Sequence, residues 1–577
     1  MKLDPITIEI LRDRLLAIVN EADVVATRTA FSSIIRDVHD YSCSLFDNKG
    51  RLLVQGTLVT PGHVGSMARC IKTIVDKDLI HLKGLKPGDV FITNDPWLLA
   101  GHLLDVMILT PIFYRDKLVA FAATLFHHMD IGGTIGAGNK EIYEEGIQIP
   151  LVKFYEGGVL DQAVFDIIHA NVRMADRILG DIKAEVAAND LIATKLRELL
   201  DELQWEDISE LAEEIFTRTE SGTRAEIEKF PDGMYRGEGY IERQDCDEPI
   251  RIKVAIEIRG SNIHADFEGS SPQVNVGINS VYNYTYAHYV YAIKTLIDPL
   301  IPNNDGTLRC MTMSAPEGSI VNATFPAASI GRTSVGLMLE CIIYRILSEA
   351  IPERVIAQSG SAPLWWITYN GTTREGHEFM NVLAMDGGLG ARFNKDGISC
   401  LSFPANIRTN SIEMFEADTP LLCEKKVLIC DSGGPGKFRG GLGQEVSLIV
   451  PKGSHGLTKP VVESAIAGRL KYPALGVLGG RNGSLSEIYI NDRKVGWGRQ
   501  HLLNPGDIIT YKLGGGGGFF PPSERDPDLV LNDVRNGYVS ADSAREAYNV
   551  TIDEKTMTIN VEETNKRRGE SKEEYPD

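Results

Sequence analysis

Apolar residues over the first thirty positions recur at helical spacing. Ile6, Ile10, Leu11, Leu15, Ile18, Val19 and Ala22 follow a 3.6-residue repeat, which predicts an amphipathic helix over 5–30. Residues 41–60 alternate instead, around the turn signal Asp47-Asn48-Lys49-Gly50, and read as a hairpin. Residues 64–80 return to helical spacing. Residues 86–128 read as strands and loops. They include VMILTPIFYRDKLVAFAATLF, an apolar stretch broken only by Tyr114-Arg115-Asp116-Lys117, which is the pattern of two strands joined by a short polar turn.

Residues 160–230 are dense in Ala, Leu, Glu, Lys and Arg, with no proline until Pro231. That predicts a packed layer of two or three helices. From about 234 the segments YRGEGYIERQ, IRIKVAIEIRG and SNIHADFEG read as strand, turn and strand, implying an antiparallel sheet. Helices are expected over 279–300 and 335–350, short strands among many glycines from about 425, and a short helix at 541–548. The last 20 or so residues, rich in Glu, Lys and Arg, are expected to be disordered. The fold class is α+β: a large multi-layer chain with mixed and antiparallel sheets and a helical block near 160–230. The regions expected are 1–155 (α/β, with the candidate site), 156–232 (helical), 233–425 (α+β), 426–550 (glycine-rich β) and a tail from 551 to 577.

Composition narrows the function classes. The 577 residues are 43% hydrophobic, enough for a large core, and 59 basic against 79 acidic residues give a net charge of −20. An acidic chain without basic clusters is a poor nucleic-acid binder. No uncharged apolar run reaches about 18 residues, so no membrane-spanning helix is expected. The N-terminus MKLDPITIEILRDRL carries acidic residues where a signal peptide requires an unbroken apolar segment, and a cytoplasmic location is expected. The eight cysteines are scattered without a C-x-x-C, so neither a cysteine zinc site nor a disulfide framework is indicated.

The strongest chemical signal is a doubled word. His102-Leu103-Leu104-Asp105 is followed 25 residues later by His127-His128-Met129-Asp130, both His-x-x-Asp. A hairpin centred on Arg115-Asp116 pairs residues whose numbers sum to about 231, setting Asp105 opposite Phe126 and Leu104 opposite His127. The two words then meet at the open end of the hairpin, with the ligand types of a metal site. Successive side chains of a strand point to opposite faces, so His127 and His128 cannot both face a metal there. Which of them does is open, as is the choice among Asp37, His39 and Asp40 in IIRDVHDYSCSLFD. His63, in TPGHVGSM just before a helix, is a candidate pocket-lining loop residue.

Other motifs point away from nucleotide chemistry in this chain. SGGPGKFRGGLG (432–443) fails the phosphate-loop spacing, since Phe438 follows Lys437. It reads better as a glycine-demanding turn. The five-glycine run Gly514 to Gly518 lacks a Lys-Ser/Thr and reads as a pocket wall or a hinge. No nucleophile-elbow serine is present. A metal-activated water or a metal-bound carbonyl is the best chemistry available, and any ATP would be bound by another chain.

Several words together resemble one family. NDPWLLAGHLLDV (94–106), FHHMDIGG (126–133) and RDVHDYSCSLFD (36–47) are similar to signature segments of the hydantoinase B/oxoprolinase family. EEGIQIP (144–150), DFEGSSPQV (266–274), DSGGPGKFRGGLG (431–443), GGGGGFFPPSERDP (514–527) and GYVSADSAREAY (537–548) follow in family order. One departure is Trp97-Leu98-Leu99-Ala100, where the family has a tyrosine and glycines; it bears on the lip of the pocket and hence on the substrate. The resemblance implies metal ligands at Asp40, His102, Asp105 and His127. It implies a supporting Asp130 that orients a ligand histidine, and leaves His128 and His63 as catalytic candidates in the pocket. The implied metal is divalent: zinc or manganese, with iron also compatible. The implied partner is a hydantoinase A-type, ATP-binding subunit in an A2B2-type assembly. The implied reaction is ATP-dependent opening of a cyclic amide such as hydantoin, 5-oxoproline or a lactam, by attack of a metal-bound water. The alternative is ATP-dependent carboxylation of a ketone such as acetone or acetophenone, with the metal holding bicarbonate or CO2.

Overall fold

The protein is described from a computed structural model covering residues 4–79, 84–136, 138–243, 247–373, 376–452, 460–496 and 500–573. Cys246 and the last four residues of the expected tail lie outside the described residues. Backbone packing divides the chain into two units, each assembled from non-adjacent stretches. The first comprises Met1–Arg236, Ile252–Leu339 and Ala405–Asn410; the second comprises Gly237–Arg251, Glu340–Pro404 and Ser411–Asp577.

The first unit is built on a seven-stranded antiparallel sheet. Its strands are β1 (Tyr41–Asp47), β2 (Leu52–Gln55), β3 (Val90–Thr93), β4 (Asp105–Tyr114), β5 (Lys117–His127), β6 (Val152–Glu156) and β7 (Val159–Leu160), in spatial order β2-β1-β5-β4-β3-β6-β7. Helix α1 (Pro5–Thr29) starts where the Asp4 carboxylate accepts the N–H groups of Ile6 and Thr7, a standard N-cap. It buries Ile8, Leu11, Leu15, Val19, Ala22 and Ala26, whereas Ile6 and Ile10 stay exposed. Helix α2 (Pro61–Asp76) opens on Pro61 at its first helical position, which suits proline's fixed φ and missing N–H.

The helical block resolves into α3 (Gln162–Asn171), α4 (Ala175–Leu203) and α5 (Ser209–Ile227). Helix α4 covers one face of β4 and β5, with Asn189 donating to the Ile108 carbonyl. Helix α2 covers the other face, where Met67, Ile71 and Ile74 pack with Met107, Leu109, Phe121, Ala123 and Leu125. The alternating burial of a strand paired on both sides thus assigns odd-numbered residues of β5 to the α2 layer and even-numbered ones to the α4 layer. Beyond this sheet lie β8 (Gly233–Ile241), β9 (Ile250–Arg259) and β10 (Asn262–Asp266), then α6 (Tyr282–Lys294) against α2, the short α7 (Asp305–Leu308) and β11 (Met311–Ser314). The chain passes into the second unit within α8 (Thr333–Leu347).

The β4–β5 hairpin turns where expected but does not keep the expected register. Arg115 and Asp116 both take positive φ, 48° and 64°, as a two-residue primed turn requires. Tyr114 pairs with Lys117 and Phe113 with Leu118, as a sum of 231 demands. Val119 then has no counterpart. Ile112 pairs with Ala120, and the register runs on to Asp105 opposite His127, a sum of 232. The single-residue bulge corrects the expected pairing of Asp105 with Phe126, and the correction matters because a one-residue slip exchanges the faces of every later side chain.

In the second unit two antiparallel sheets flank a glycine-rich core. The first contains β12 (Trp365–Thr372) and β13 (Glu378–Met385); the second contains β14 (Leu422–Leu428) and β15 (Gln444–Ile449). Gly514–Gly518 is buried and held by backbone hydrogen bonds, which speaks against a hinge. Gly516 and Gly517 carbonyls accept from Gly434 (2.8 Å) and Ala391 (2.9 Å), while Gly517 and Gly518 donate to Gln358 and Arg481 (2.9 Å each). One glycine segment therefore bonds four separate stretches of chain. A Cβ on Gly515, Gly516, Gly517 or Gly518 would lie within 2.2 Å of a neighbouring carbonyl oxygen. The run is glycine because backbones pack there with no room for a side chain.

The charged tail also departs from expectation. Val561–Glu573 is a helix and not disordered. Thr564 accepts the Thr551 N–H, and the Arg568 guanidinium donates to the Arg525 carbonyl at 2.6 Å. Its long charged side chains are thus used as anchors onto backbone carbonyls, which composition alone does not reveal. Among the described residues no helix is long and apolar enough to cross a membrane.

Replacing Gly516 by alanine would force a methyl group against the Leu389 carbonyl at 2.2 Å. Overpacking between two backbones is expected to cost about 3 kcal/mol or more. Thermal unfolding of Gly516→Ala should shift down strongly, while Gly136→Ala, whose Cβ meets nothing within 4 Å, should change stability by less than about 0.5 kcal/mol. Equal melting of the two variants would refute the packing account.

Candidate metal centre

The shifted register builds the site. With Asp105 opposite His127 and Tyr41 opposite Phe126, the next rung joins Asp40, His127 and Asp105 across β1, β5 and β4. The backbone confirms the join: His127 N–H donates to the Asp40 carbonyl at 3.1 Å. Asp105 and His127 carry odd numbers and so fall on the α2 side of the sheet. From that side His63, in the first turn of α2 and not in a preceding loop, brings its Nε2 to 3.4 Å from Asp105 and 3.6 Å from Asp40. His102 reaches the same point from the turn before β4, with Nε2 2.7 Å from Asp105 Oδ1. That turn needs Gly101, which holds φ at +92° with the Arg332 side chain 2.8 Å from where a Cβ would sit.

The ligating atoms of His102, Asp105 and His127 lie within 4.8 Å of one another, and all three residues are buried. His127 Nδ1 is 3.0 Å from Asp105 Oδ1 and 3.9 Å from Asp40 Oδ2. Asp40 is also steadied by the Thr60 hydroxyl, which donates to Oδ1 at 3.1 Å. Three imidazoles and two carboxylates converging in a buried pocket form an oxygen and nitrogen donor set suited to zinc, manganese or iron. His63 Nδ1 is buried without a hydrogen-bond partner.

Electrostatics favours the protonation states that metal binding needs. Burial, reinforced by the Arg332 charge, holds the His102 imidazole down to about 4, so the ring is neutral near pH 7. Burial alone would raise the Asp105 carboxyl, but His102, Arg332 and His63 hold it well below the usual carboxylate range.

Two expectations are corrected. His128 does not line the pocket. Being even-numbered, it points into the α4 layer, where its Nε2 is 3.1 Å from Glu185 and both residues are fully buried. Burial pushes its imidazole down to about 3. Asp130 does not orient a ligand histidine. Its oxygens accept from the Arg173 backbone and guanidinium, at 2.5 Å each, and from Gly132 N–H. It anchors the chain leaving β5. Asp37 and His39 stay outside the cluster: Asp37 pairs with Arg36 and His39 turns away on a positive φ of 59°. Trp97 and its neighbours form a turn, with the Trp97 indole donating to the Ala323 carbonyl at 2.9 Å.

Arg332 joins the cluster without any mark in the sequence. It is buried, its guanidinium lies 4.1 Å over the Tyr284 ring, and it donates to the Ala100 carbonyl and to Asp105 Oδ2. It stands 227 positions after Asp105 in SIGRTSVG, a segment with no feature that marks it.

These contacts separate two aspartates that the doubled word makes look equivalent. Asp105→Asn is expected to abolish tight metal uptake, read by elemental analysis of the purified protein. Asp130→Asn should retain the metal and lose about 1.5–3 kcal/mol of stability through its broken charged hydrogen bonds. Metal loss in Asp130→Asn would contradict the assignment.

Comparison with known proteins agrees along nearly the whole chain. The family model for hydantoinase B/oxoprolinase matches residues 4–522. An uncharacterised protein of Methanocaldococcus jannaschii is 32% identical over 579 residues, spanning 98% of this chain and 100% of that one. Caprolactamase subunit beta of Pseudomonas jessenii is 31% identical, spanning 95% of this chain and 96% of its own. The crystal structure of the ATP-dependent caprolactamase from Pseudomonas jessenii matches with a TM-score of 0.89 at 29% identity, covering 99% of this chain and 100% of that one. The chain belongs to the hydantoinase B/oxoprolinase family.

Proposed function

We propose that this chain is the B-type subunit of an ATP-dependent hydrolase of cyclic amides, with Asp40, His102, Asp105 and His127 holding a divalent metal. The observation that carries the reading is the rung Asp40–His127–Asp105, completed by His102 and faced by His63. Such a metal supplies Lewis-acid activation of water or of an amide carbonyl.

The chain's own residues have separable tasks. Asp105 and Asp40 provide anionic oxygens. His102 and His127 provide neutral nitrogens. His63, held at the N-terminal turn of α2 with Nε2 facing both carboxylates, is the nearest imidazole without a ligand assignment, and we assign it the handling of a proton at the reacting amide. A ring amide is a poor electrophile, so prior activation of its oxygen by phosphorylation lowers the barrier to attack. The glycine-rich segments most like phosphate loops are occupied by backbone packing: Gly434 N–H bonds Gly516, and Gly440 N–H bonds Gly434. This supports ATP binding by an A-type partner, in line with a relative named as a subunit beta.

Purified chain, an A-type partner and ATP should open hydantoin, 5-oxoproline or caprolactam with ADP release. His127→Ala should remove both metal and turnover while leaving folding and partner binding intact. ADP release without ring opening, alongside bicarbonate-dependent consumption of a ketone, would reassign the chain to a carboxylase. Turnover that survives metal loss would reduce it to a structural subunit.

A further inference from the structure

Glu145 belongs to the word EEGIQIP, to which the site described above gives no role. It is 1% exposed, with the Arg332 charge acting on it. Its Oε1 accepts the N–H groups of Ser329 at 2.6 Å and Ile330 at 2.8 Å, and its Oε2 has no hydrogen-bond partner. The segment bearing it is itself pinned. Ile147 N–H donates to the Ile131 carbonyl, and the Asn94 side chain bridges the Ile147 and Leu103 carbonyls, beside His102. Glu145 therefore ties the Ser329-Ile330 peptide to the same framework that carries the candidate ligands.

That peptide ends at His102. The Ile330 carbonyl lies 3.1 Å from His102 Nδ1, and Arg332 Nη1 lies 2.7 Å from the same nitrogen. A carbonyl only accepts a hydrogen bond and a guanidinium only donates one. Neutral imidazole carries one proton, so Nδ1 satisfies one neighbour at a time. With the proton on Nδ1, the ring donates to Ile330 and its Nε2 lone pair is free at the centre of the site. With the proton on Nε2, Nδ1 accepts from Arg332 and Nε2 is spent on Asp105, 2.7 Å away. Only the first tautomer ligates through Nε2.

We propose that Glu145 is a positioning residue of the metal centre: by fixing the Ser329-Ile330 peptide it aims the Ile330 carbonyl at His102 and selects the ligating tautomer against the pull of Arg332. The inference rests on the reading of His102 as a ligand. Burial pushes the Glu145 carboxyl up to about 8, so its task is that of a neutral acceptor. Glutamine, which keeps that acceptor oxygen without charge, is a faithful replacement.

The test uses the full chain loaded with Co2+, whose visible absorption reports the geometry of its ligands, with affinity read by chelator competition. Glu145→Ala is expected to lower Co2+ affinity about 10–100-fold, the range for loss of a group that orients a ligand, and to alter the spectrum. Glu145→Gln should restore most of both. Where the alanine variant does not fold, Glu145→Asp replaces it: its shorter side chain falls away from the two N–H groups and should lose affinity where glutamine keeps it. The proposal is overturned when folded alanine or aspartate variants bind Co2+ with wild-type affinity and spectrum, or when glutamine loses as much as they do. A wild-type chain that takes up no Co2+ would instead overturn the metal centre itself, so the two failures are distinguishable.

Discussion

One unpaired residue, Val119, governs the chemistry of the first unit. A two-residue turn at Arg115-Asp116 starts the hairpin in a register that would leave Asp105 and His127 on opposite faces of the sheet. The bulge adds one to the pairing sum before the strands reach their open end. Asp105 and His127 then share a rung and a face, and β1 adds Asp40 to the same rung. The placement of Asp40, His127 and Asp105 in the candidate centre is thus set by hydrogen-bond ladders running along three strands, with the turn before β4 adding His102. A site carried on ladders of this kind is held more rigidly than one carried on loops.

The same alternation separates the paired histidines. His127 faces α2, the carboxylates and His63; His128 faces α4 and Glu185. Neighbouring residues in one word thus inhabit different layers with different electrostatics. On the α2 side, cationic and imidazole groups keep the Asp105 carboxyl ionised despite its burial. On the α4 side, burial drives the Glu185 carboxyl well above its ordinary range, so that a neutral acid meets a neutral imidazole. The first arrangement suits a cation; the second avoids burying charge beneath the sheet.

Much of this was legible in the sequence. The helical repeat of residues 5–30, the proline-free block before Pro231 and the primed turn each produced the expected element, because local periodicity and turn chemistry act over a few residues. The doubled His-x-x-Asp announced that its copies meet. What periodicity does not contain is the one-residue register shift between Ile112 and Phe113. Nor does it contain Arg332, delivered to Asp105 across 227 positions by the packing of the chain around α8, or the role of Asp130, whose partner Arg173 lies beyond the sheet.

The glycine run shows the same limit from another side. Five glycines in sequence suggest freedom, and freedom suggests a hinge or a pocket wall. Freedom of the isolated chain and freedom in the fold are different quantities. Glycine has the most conformational entropy to lose, and Gly514–Gly518 loses it because absent side chains let four other segments reach its backbone groups. Those close approaches satisfy buried N–H and C=O groups that a bulkier residue would hold apart. A segment that looks the loosest in the sequence is therefore among the most constrained in its unit, and the constraint is visible only once its neighbours are known.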